Sequence, residues 1–266
     1  MAVKHADFEE GTKADLQASD AANTVNTFAG FGITALTGGG SYCVECRSTS
    51  GVDDADMIQL TYNAGSNSDA FVRLYFFIPT GFIANQSQAN SLKFLSVRYH
   101  LTGDQDVYLF QIGAGATGSL RFNWQHSIVG YNSGDMVGEI TRNQWHILEI
   151  RLNQPVDKVY AWFDHNAQSD PFDWENNTGL DGDYPNPTNQ IQLNDNWSGG
   201  NAPATQKWFC DGLSWSNVAL GDTYGLLTSP NPVLGAVGGS NSVLGGDVNL
   251  NTATPPPPFN WLRATR

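Results

Sequence analysis

The side chains best suited to bind a sugar or a metal ion lie between residues 164 and 197. This segment combines carboxylates with aromatic rings and contains no lysine or arginine. Aromatic rings can pack against the C–H faces of a sugar, and carboxylates accept hydrogen bonds from its hydroxyls. A solvated acidic loop whose rings pack back on the domain explains the same composition, so both interpretations stay open. The candidate residues for binding a glycan or a protein partner are Asp164, Asp173, Trp174, Asp181, Asp183, Tyr184 and Trp197.

The same segment also offers oxygen ligands for a hard cation. Ca²⁺ takes about six to eight oxygens from carboxylates, carbonyls and water, and the candidate ligands here are Asp181, Asp183 and Asp195. The spacing D-x-[DN]-x-[DN]-G of a calcium-binding loop is missing. The sequence therefore allows a Ca²⁺ site without requiring one, and it indicates no other cofactor.

Two shorter motifs have simpler structural explanations. Cys43 and Cys46 show C-x-x-C spacing, but they fall in an alternating, strand-like run in which residues three apart face opposite sides. With Cys210 as the remaining cysteine, we expect small buried thiols and no disulfide framework. Residues 113–118 match G-x-G-x-x-G, but a strand-like run follows them instead of the helix that a dinucleotide site needs. We expect a hairpin loop there.

Strand-like runs separated by turn signals must position all of these residues. About nine such runs alternate apolar and polar residues, and no segment shows a sustained helical period with caps. A single open sheet leaves the apolar faces of so many strands exposed, whereas two stacked sheets cover them. We therefore predict an all-β, two-sheet antiparallel sandwich. Its expected core residues are Val72, Leu74, Phe76, Phe94, Leu109, Phe122, Ile147, Ile150, Tyr160 and Trp162.

The charge balance excludes several classes of partner. The net charge is −13 and the pI about 4.5. Binding to the phosphates of a nucleic acid or to an anionic membrane surface needs clustered lysine and arginine, so the charge balance argues against both. No apolar run approaches the roughly 18 residues of a membrane-spanning helix. The first ten residues have no apolar stretch of a signal peptide. We expect a protein made in the cytoplasm that binds no nucleic acid and does not insert into membranes.

Three pieces of the sequence, in this order, resemble the concanavalin A-like, or laminin G-like, superfamily. They are Asp7-Phe8-Glu9-Glu10-Gly11, the paired runs 143–152 and 159–164, and the segment Trp208–Ser216. The resemblance covers about residues 6–218 and implies a jelly roll whose first and last strands lie near each other. We accordingly predict the domain over residues 1–218 and a Gly/Asn/Pro-rich C-terminal arm over residues 219–266.

Enzymes of this superfamily carry site motifs that the chain does not complete. Retaining β-glucanases have E-x-D-x-E on one strand, and no such run occurs here. Alginate-lyase-like enzymes carry Gln-Ile-His and a Tyr-rich strand. Phe110-Gln-Ile-Gly113 is similar to the first piece, with Gly113 in place of the histidine. We predict no enzymatic activity, and a polysaccharide lyase or glycosidase with a divergent site is the alternative.

A lectin-like chain without a secretion signal suggests a protein that folds in a cytoplasm and acts outside after lysis. We therefore predict a non-enzymatic structural or surface component of a virion, such as a decoration, tail or fibre protein, able to bind glycans. A free-standing carbohydrate-binding module is the first alternative. The apolar residues Phe259, Trp261 and Leu262 are expected to dock the arm on a second copy of the chain or on another virion protein. Packing of the arm on its own sandwich remains the competing interpretation.

Overall fold

The computed structural model describes residues 3–14, 16, 18–19, 23–48, 58–63, 69–83, 92–101, 103–114, 120–126, 132–153, 158–164, 172–177, 188–194 and 205–220. These ranges form antiparallel strands and one helical turn, α1 (Phe28–Phe31). Within them no helix has the length and hydropathy to span a membrane. The strands are β1 (Val3–Ala6), β2 (Ala18–Ser19), β3 (Thr24–Thr27), β4 (Tyr42–Ser48), β5 (Ile58–Asn63), β6 (Asp69–Phe77), β7 (Leu92–Leu101), β8 (Gly103–Ala114), β9 (Leu120–His126), β10 (Asn132–Ile140), β11 (Trp145–Asn153), β12 (Lys158–Phe163), β13 (Trp174–Asn177), β14 (Thr188–Leu193) and β15 (Gln206–Ser216).

The strands form two sheets. Sheet A has the order β13-β12-β11-β6-β15-β4-β3, and β1 also pairs with β15. Sheet B has the order β10-β9-β8-β7-β14-β5-β2. The predicted two-sheet antiparallel jelly-roll sandwich is confirmed, with β1 beside β15 through the pair Val3 and Ser216. The expected hairpin at the glycine-rich motif is also confirmed, since β8 pairs with β9 up to Ala114 and Leu120.

The pleat of each strand divides the apolar residues between two faces. On β6, Val72, Leu74 and Phe76 point into the core between the sheets, and Phe76 packs edge-on against Phe94 of β7 at 5.0 Å. Ile150 of β11 lies in the same core. These five residues confirm the core prediction at their positions, and the aromatic contact joins the two sheets.

Three other expected core residues lie on the outer face of sheet A. Ile147 is buried there in a second apolar cluster. Trp162 pairs with Glu149 and is buried, whereas Tyr160 is only half-buried. Directly opposite residues share a face, and strands that are covered on both sides give no alternation from which to choose the inner face. The side chains of Leu109 and Phe122 lie outside the description.

The second apolar cluster exists because the segment between β3 and β4 folds over the outer face of sheet A. Phe28 packs edge-on against Trp145 at 5.6 Å, and the Trp145 indole Nε1 donates to the carbonyl of Thr34 at 2.7 Å. Thr27 caps α1 by accepting from the N–H of Gly30 at 2.9 Å. Sheet A is therefore covered on both faces over this area.

A buried ion pair occupies the outer face of sheet A beside β15. The guanidinium of Arg73 donates to Glu149 Oε2 at 2.7 Å, and their side chains are 7% and 0% exposed. Arg73 also donates to the carbonyl of Leu220, which is itself buried. The chain after β15 thus contacts sheet A through Leu220. The arm beyond this point, including Phe259, Trp261 and Leu262, lies outside the described residues.

Candidate functional site

The predicted binding residues that the structure describes meet at one edge of sheet A. Asp164 follows β12, where its carboxylate accepts from the N–H of Ile147 at 3.1 Å. Asp173 accepts from the N–H of Phe163 at 2.7 Å, and Trp174 packs half-buried against the core. These contacts give the three residues structural roles in joining β11, β12 and β13. Asp181, Asp183, Tyr184, Asp195 and Trp197 lie outside the described residues.

The carboxylate of Asp164 is hydrogen-bonded to the buried ring of His146. The His146 Nδ1 lies 2.9 Å from Asp164 Oδ2, and its Nε2 lies 2.7 Å from the carbonyl oxygen of Thr141. Both neighbours are oxygen atoms that accept hydrogen bonds. The ring is buried and stacks on Phe163 at 5.1 Å. His146 is therefore part of an internal hydrogen-bond network and is closed to substrate.

The three cysteines are free and buried. Cys43 lies in the outer cluster of sheet A, whereas Cys46 and Cys210 lie in the core. This confirms that Cys43 and Cys46 face opposite sides of β4. Burial raises the pKa of all three thiols, and the nearby carboxylate of Asp211 raises those of Cys43 and Cys210 further. Neutral thiols are poor nucleophiles and poor metal ligands.

A pair of carboxylates that sequence reasoning missed lies where β15 changes its neighbour. β4 pairs with β15 as far as Cys210, and β1 pairs with it from Leu213. Between them stands Asp211, with Gly212 at φ 55°. Asp211 is fully buried, and its Oδ1 accepts from the N–H of Gly212 at 2.7 Å. Its Oδ2 has no hydrogen-bond partner in the described structure.

Glu9 and Asp211 both pack against one turn, which contains Gly39 and Gly40. The Glu9 carboxylate accepts from the N–H of Ser41 at 2.9 Å. A Cβ on Gly39 would lie 2.7 Å from Asp211 Oδ2, and one on Gly40 would lie 2.1 Å from the Glu9 carboxyl carbon. Consecutive glycines thus admit both carboxylates, and side chains at these positions would displace them.

Asp211 Oδ2 is buried beside the negative charge of Glu9 and has no hydrogen-bond partner in the described structure. Burial raises the pKa of Asp211 well above its ordinary value, the bond from Gly212 lowers it, and the charges of Glu9 and Asp7 raise it again. Either a proton or a cation can therefore neutralise the site. Oxygen ligands suit Ca²⁺ or Mg²⁺. No group of three or more His, Cys, Asp or Glu side chains in the described ranges is arranged to hold a metal ion.

The outer face of sheet B has a different character, because polar side chains there are shielded. On β14, Ile191 and Leu193 point into the core, so Gln192 between them faces outward. Gln192 pairs with Ser96 of β7, and the two are 3% and 0% exposed. Gln192 also pairs with Gln59 of β5. Amide and hydroxyl residues thus form a row across the middle of the sheet.

Neighbouring positions of sheet B continue this polar character in the backbone register. Gln190 pairs with Arg98 of β7 and with Thr61 of β5. Gln111 of β8, from the motif that resembles a lyase site, lies between Lys93 and Asn123. Register therefore brings amide and cationic residues from four adjacent strands to one sheet.

Comparison with known proteins supports the fold. No family model and no curated protein matches the sequence. The chain is similar to the solved structure of the cellulose-induced protein Cip1, with 13% identity over 82% of this chain and 99% of that one and a TM-score of 0.52. An alginate lyase from Klebsiella pneumoniae is 7% identical over 65% and 81% of the two chains, with a TM-score of 0.49. A pentraxin from Limulus polyphemus is 11% identical over 66% and 77%, with a TM-score of 0.45. The likeness to Cip1 agrees with the jelly-roll fold that the two sheets form.

The leading functional prediction, a non-enzymatic virion component, is wrong. The solved structures of similar fold include several alginate lyases, at 7–10% identity. The original inference relied on the composition of the chain and on the absence of a secretion signal, and neither of these identifies a ligand.

Proposed function

We propose that the chain is a polysaccharide-binding protein whose binding surface is the outer face of sheet B. The observation that carries the proposal is the register of sheet B, in which Gln190 pairs with Arg98 and Gln111 lies between Lys93 and Asn123. Polar side chains that face away from the core normally remain in contact with water. Ser96 and Gln192 are instead buried, so they support this face, and a ligand would contact the neighbouring register positions in the way that a few polar groups orient a ligand in a binding site. Amide and hydroxyl groups match the alternating donors and acceptors of sugar hydroxyls.

The cations in register with this row favour a polysaccharide that carries carboxylates. Arg98 pairs with Gln190, and Lys93 pairs with Gln111. The chain as a whole has a net charge of −13 and repels a polyanion. Attraction must therefore come from local cations, and binding should weaken as salt screens them.

A polysaccharide lyase is the second candidate function, and the position of Gln111 favours it. A lyase removes the proton next to a uronate carboxylate, and a cation or amide on that carboxylate stabilises the carbanion that forms. Gln111 between Lys93 and Asn123 supplies such groups. The adjacent Gly113, opposite Arg121, supplies no base. Catalysis therefore needs a base from another strand.

Binding to insoluble cellulose and to soluble alginate tests the main proposal. We expect retention of alginate to fall when Arg98 or Gln190 is replaced by alanine. The matched control is Lys158→Gln, which removes an exposed cation from sheet A. Equal binding by all variants, or binding of neither polymer by the parent protein, contradicts the proposal. Release of unsaturated ends from alginate, abolished in Gln111→Ala, would assign the lyase activity.

A further inference from the structure

A cavity of about 540 Å³ opens at the end of sheet A, away from the proposed cleft on sheet B. Its walls are the ends of β4 and β15 and the turn that follows β6. Volumes of about 300–1,000 Å³ are typical of small-molecule sites. The lining residues are Glu45, Arg47, Pro79, Gly81, Phe82, Thr205, Gln206 and Lys207.

The cavity gathers positive charge in an acidic chain. Lys207 is the only lysine or arginine between residues 160 and 262, and it pairs across the strands with Arg47. Its Nζ lies 3.3 Å from Glu45 Oε2, so one cation is already compensated. Arg47 bonds to Asn23 and Asn194 through its main chain. In the described structure its guanidinium therefore carries a charge with no protein counterion.

A buried amide donor supplies a second, independent observation. Gln206 is buried, and its Oε1 accepts from the N–H of Ile83 at 3.0 Å. This bond fixes the orientation of the amide. Its Nε2 then has no acceptor among the described residues. A buried donor without an acceptor costs free energy, which an acceptor on a bound ligand can recover.

The combination of groups points to a carboxylate-bearing sugar. The free guanidinium and the amide N–H groups suit a carboxylate, and the Glu45 carboxylate can accept from a sugar hydroxyl. Pro79 and Phe82 add apolar surface for a ring face. We propose that this cavity is a secondary binding site for a single uronate residue. The proposal rests on the proposed function for its class of ligand, since the uronate would belong to the polysaccharide bound on sheet B.

Titration calorimetry of the full chain with glucuronate and with glucose tests the site. These probes differ only in the carboxylate, so glucuronate should bind and glucose should not. Arg47→Gln should weaken glucuronate binding about tenfold, the effect of losing one charged hydrogen bond. The control Lys158→Gln makes the same charge change on another part of sheet A and should leave the affinity unchanged. The Gln206 side-chain amide signals in NMR spectra should shift on addition of glucuronate.

Several outcomes would overturn the proposal. They are equal binding of glucose and glucuronate, no binding of glucuronate, or the same loss in Arg47→Gln and Lys158→Gln. If Arg47→Gln lowers the melting temperature, Gln206→Glu provides a second variant, since it keeps the acceptor for Ile83 and replaces the donor with an anion. Alginate binding without glucuronate binding refutes this site and leaves the cleft on sheet B intact. Arg47-dependent glucuronate binding without alginate binding refutes only the cleft.

Discussion

Replacing Glu149 with glutamine removes the counterion of Arg73 from the buried ion pair on the outer face of sheet A. The Arg73 guanidinium would keep its bond to the Leu220 carbonyl but lose the carboxylate at 2.7 Å. Both side chains are nearly inaccessible, at 7% and 0% exposure. Removing one partner of such a pair leaves a buried charge uncompensated and costs about 3–5 kcal/mol. For a domain of this size, about 2–4 °C are lost per kcal/mol, so we expect a fall of about 6–20 °C in melting temperature.

Calorimetry and urea unfolding of three variants test this estimate. Glu175→Gln removes the carboxylate of the exposed Lys158 pair and should cost less than about 1 kcal/mol. The double variant Arg73→Met and Glu149→Leu removes both charges and should regain most of the stability that Glu149→Gln loses. If Glu149→Gln and Glu175→Gln destabilise the protein equally, the pair is exposed to water in solution and the described covering of this face is incorrect.

Three further predictions concern the core, the carboxylate pair and the thiols. Trp208 is fully buried, so Trp208→Ala should lower the unfolding free energy measured by urea titration by about 3–5 kcal/mol. The control is Phe172→Ala, which should have little effect in the same titration because Phe172 is 42% exposed. Asp211 has a raised pKa in the folded protein. Asp211 therefore contributes its full stabilisation of the fold below the ordinary carboxyl pKa, and this stabilisation is lost as the pH rises through the raised pKa. Asp211→Asn should flatten this dependence of the melting temperature on pH. If a cation occupies the site, Ca²⁺ should raise the melting temperature of the parent protein at neutral pH and leave that of Asp211→Asn unchanged. Melting curves of both proteins with Ca²⁺ and with a chelator test this. The three buried thiols should react with a thiol reagent only after unfolding, and rapid labelling of the native protein would contradict their placement.

The alternation of residues was enough to predict the sandwich and much of its core. Val72, Leu74 and Phe76 share one side of β6 by their spacing of two, whatever the partner strand. The same pattern failed for Ile147, because the segment around Phe28 packs against Trp145 of the same strand and covers the other face as well. A long-range covering of this kind leaves no local signal in the strand that it covers.

The candidate sites were harder to predict than the fold. Glu9 and Asp211 meet only because β1 and β4 occupy successive parts of one edge of β15. Local composition could not show that pairing, although both residues stand in pieces that resemble the superfamily. The composition around Asp164 predicted a binding loop, most of which lies outside the described residues, and the Asp164 carboxylate itself is bonded to His146 and the Ile147 N–H. Residue type identifies available chemistry, whereas topology decides which groups remain free to perform it.

The position of β15 has a consequence for synthesis on the ribosome. This strand lies between β6 on one side and β4 and β1 on the other, and the contact of His5 with Ser214 spans 209 residues. Until residue 216 has left the exit tunnel, β4 and β6 each lack a hydrogen-bonded neighbour along one edge. Unpaired edges are templates for aggregation, and contacts this distant in sequence form slowly. The nascent chain therefore carries two open strand edges until β15 has emerged, and a chaperone that covers these edges in this period should raise the yield of folded protein.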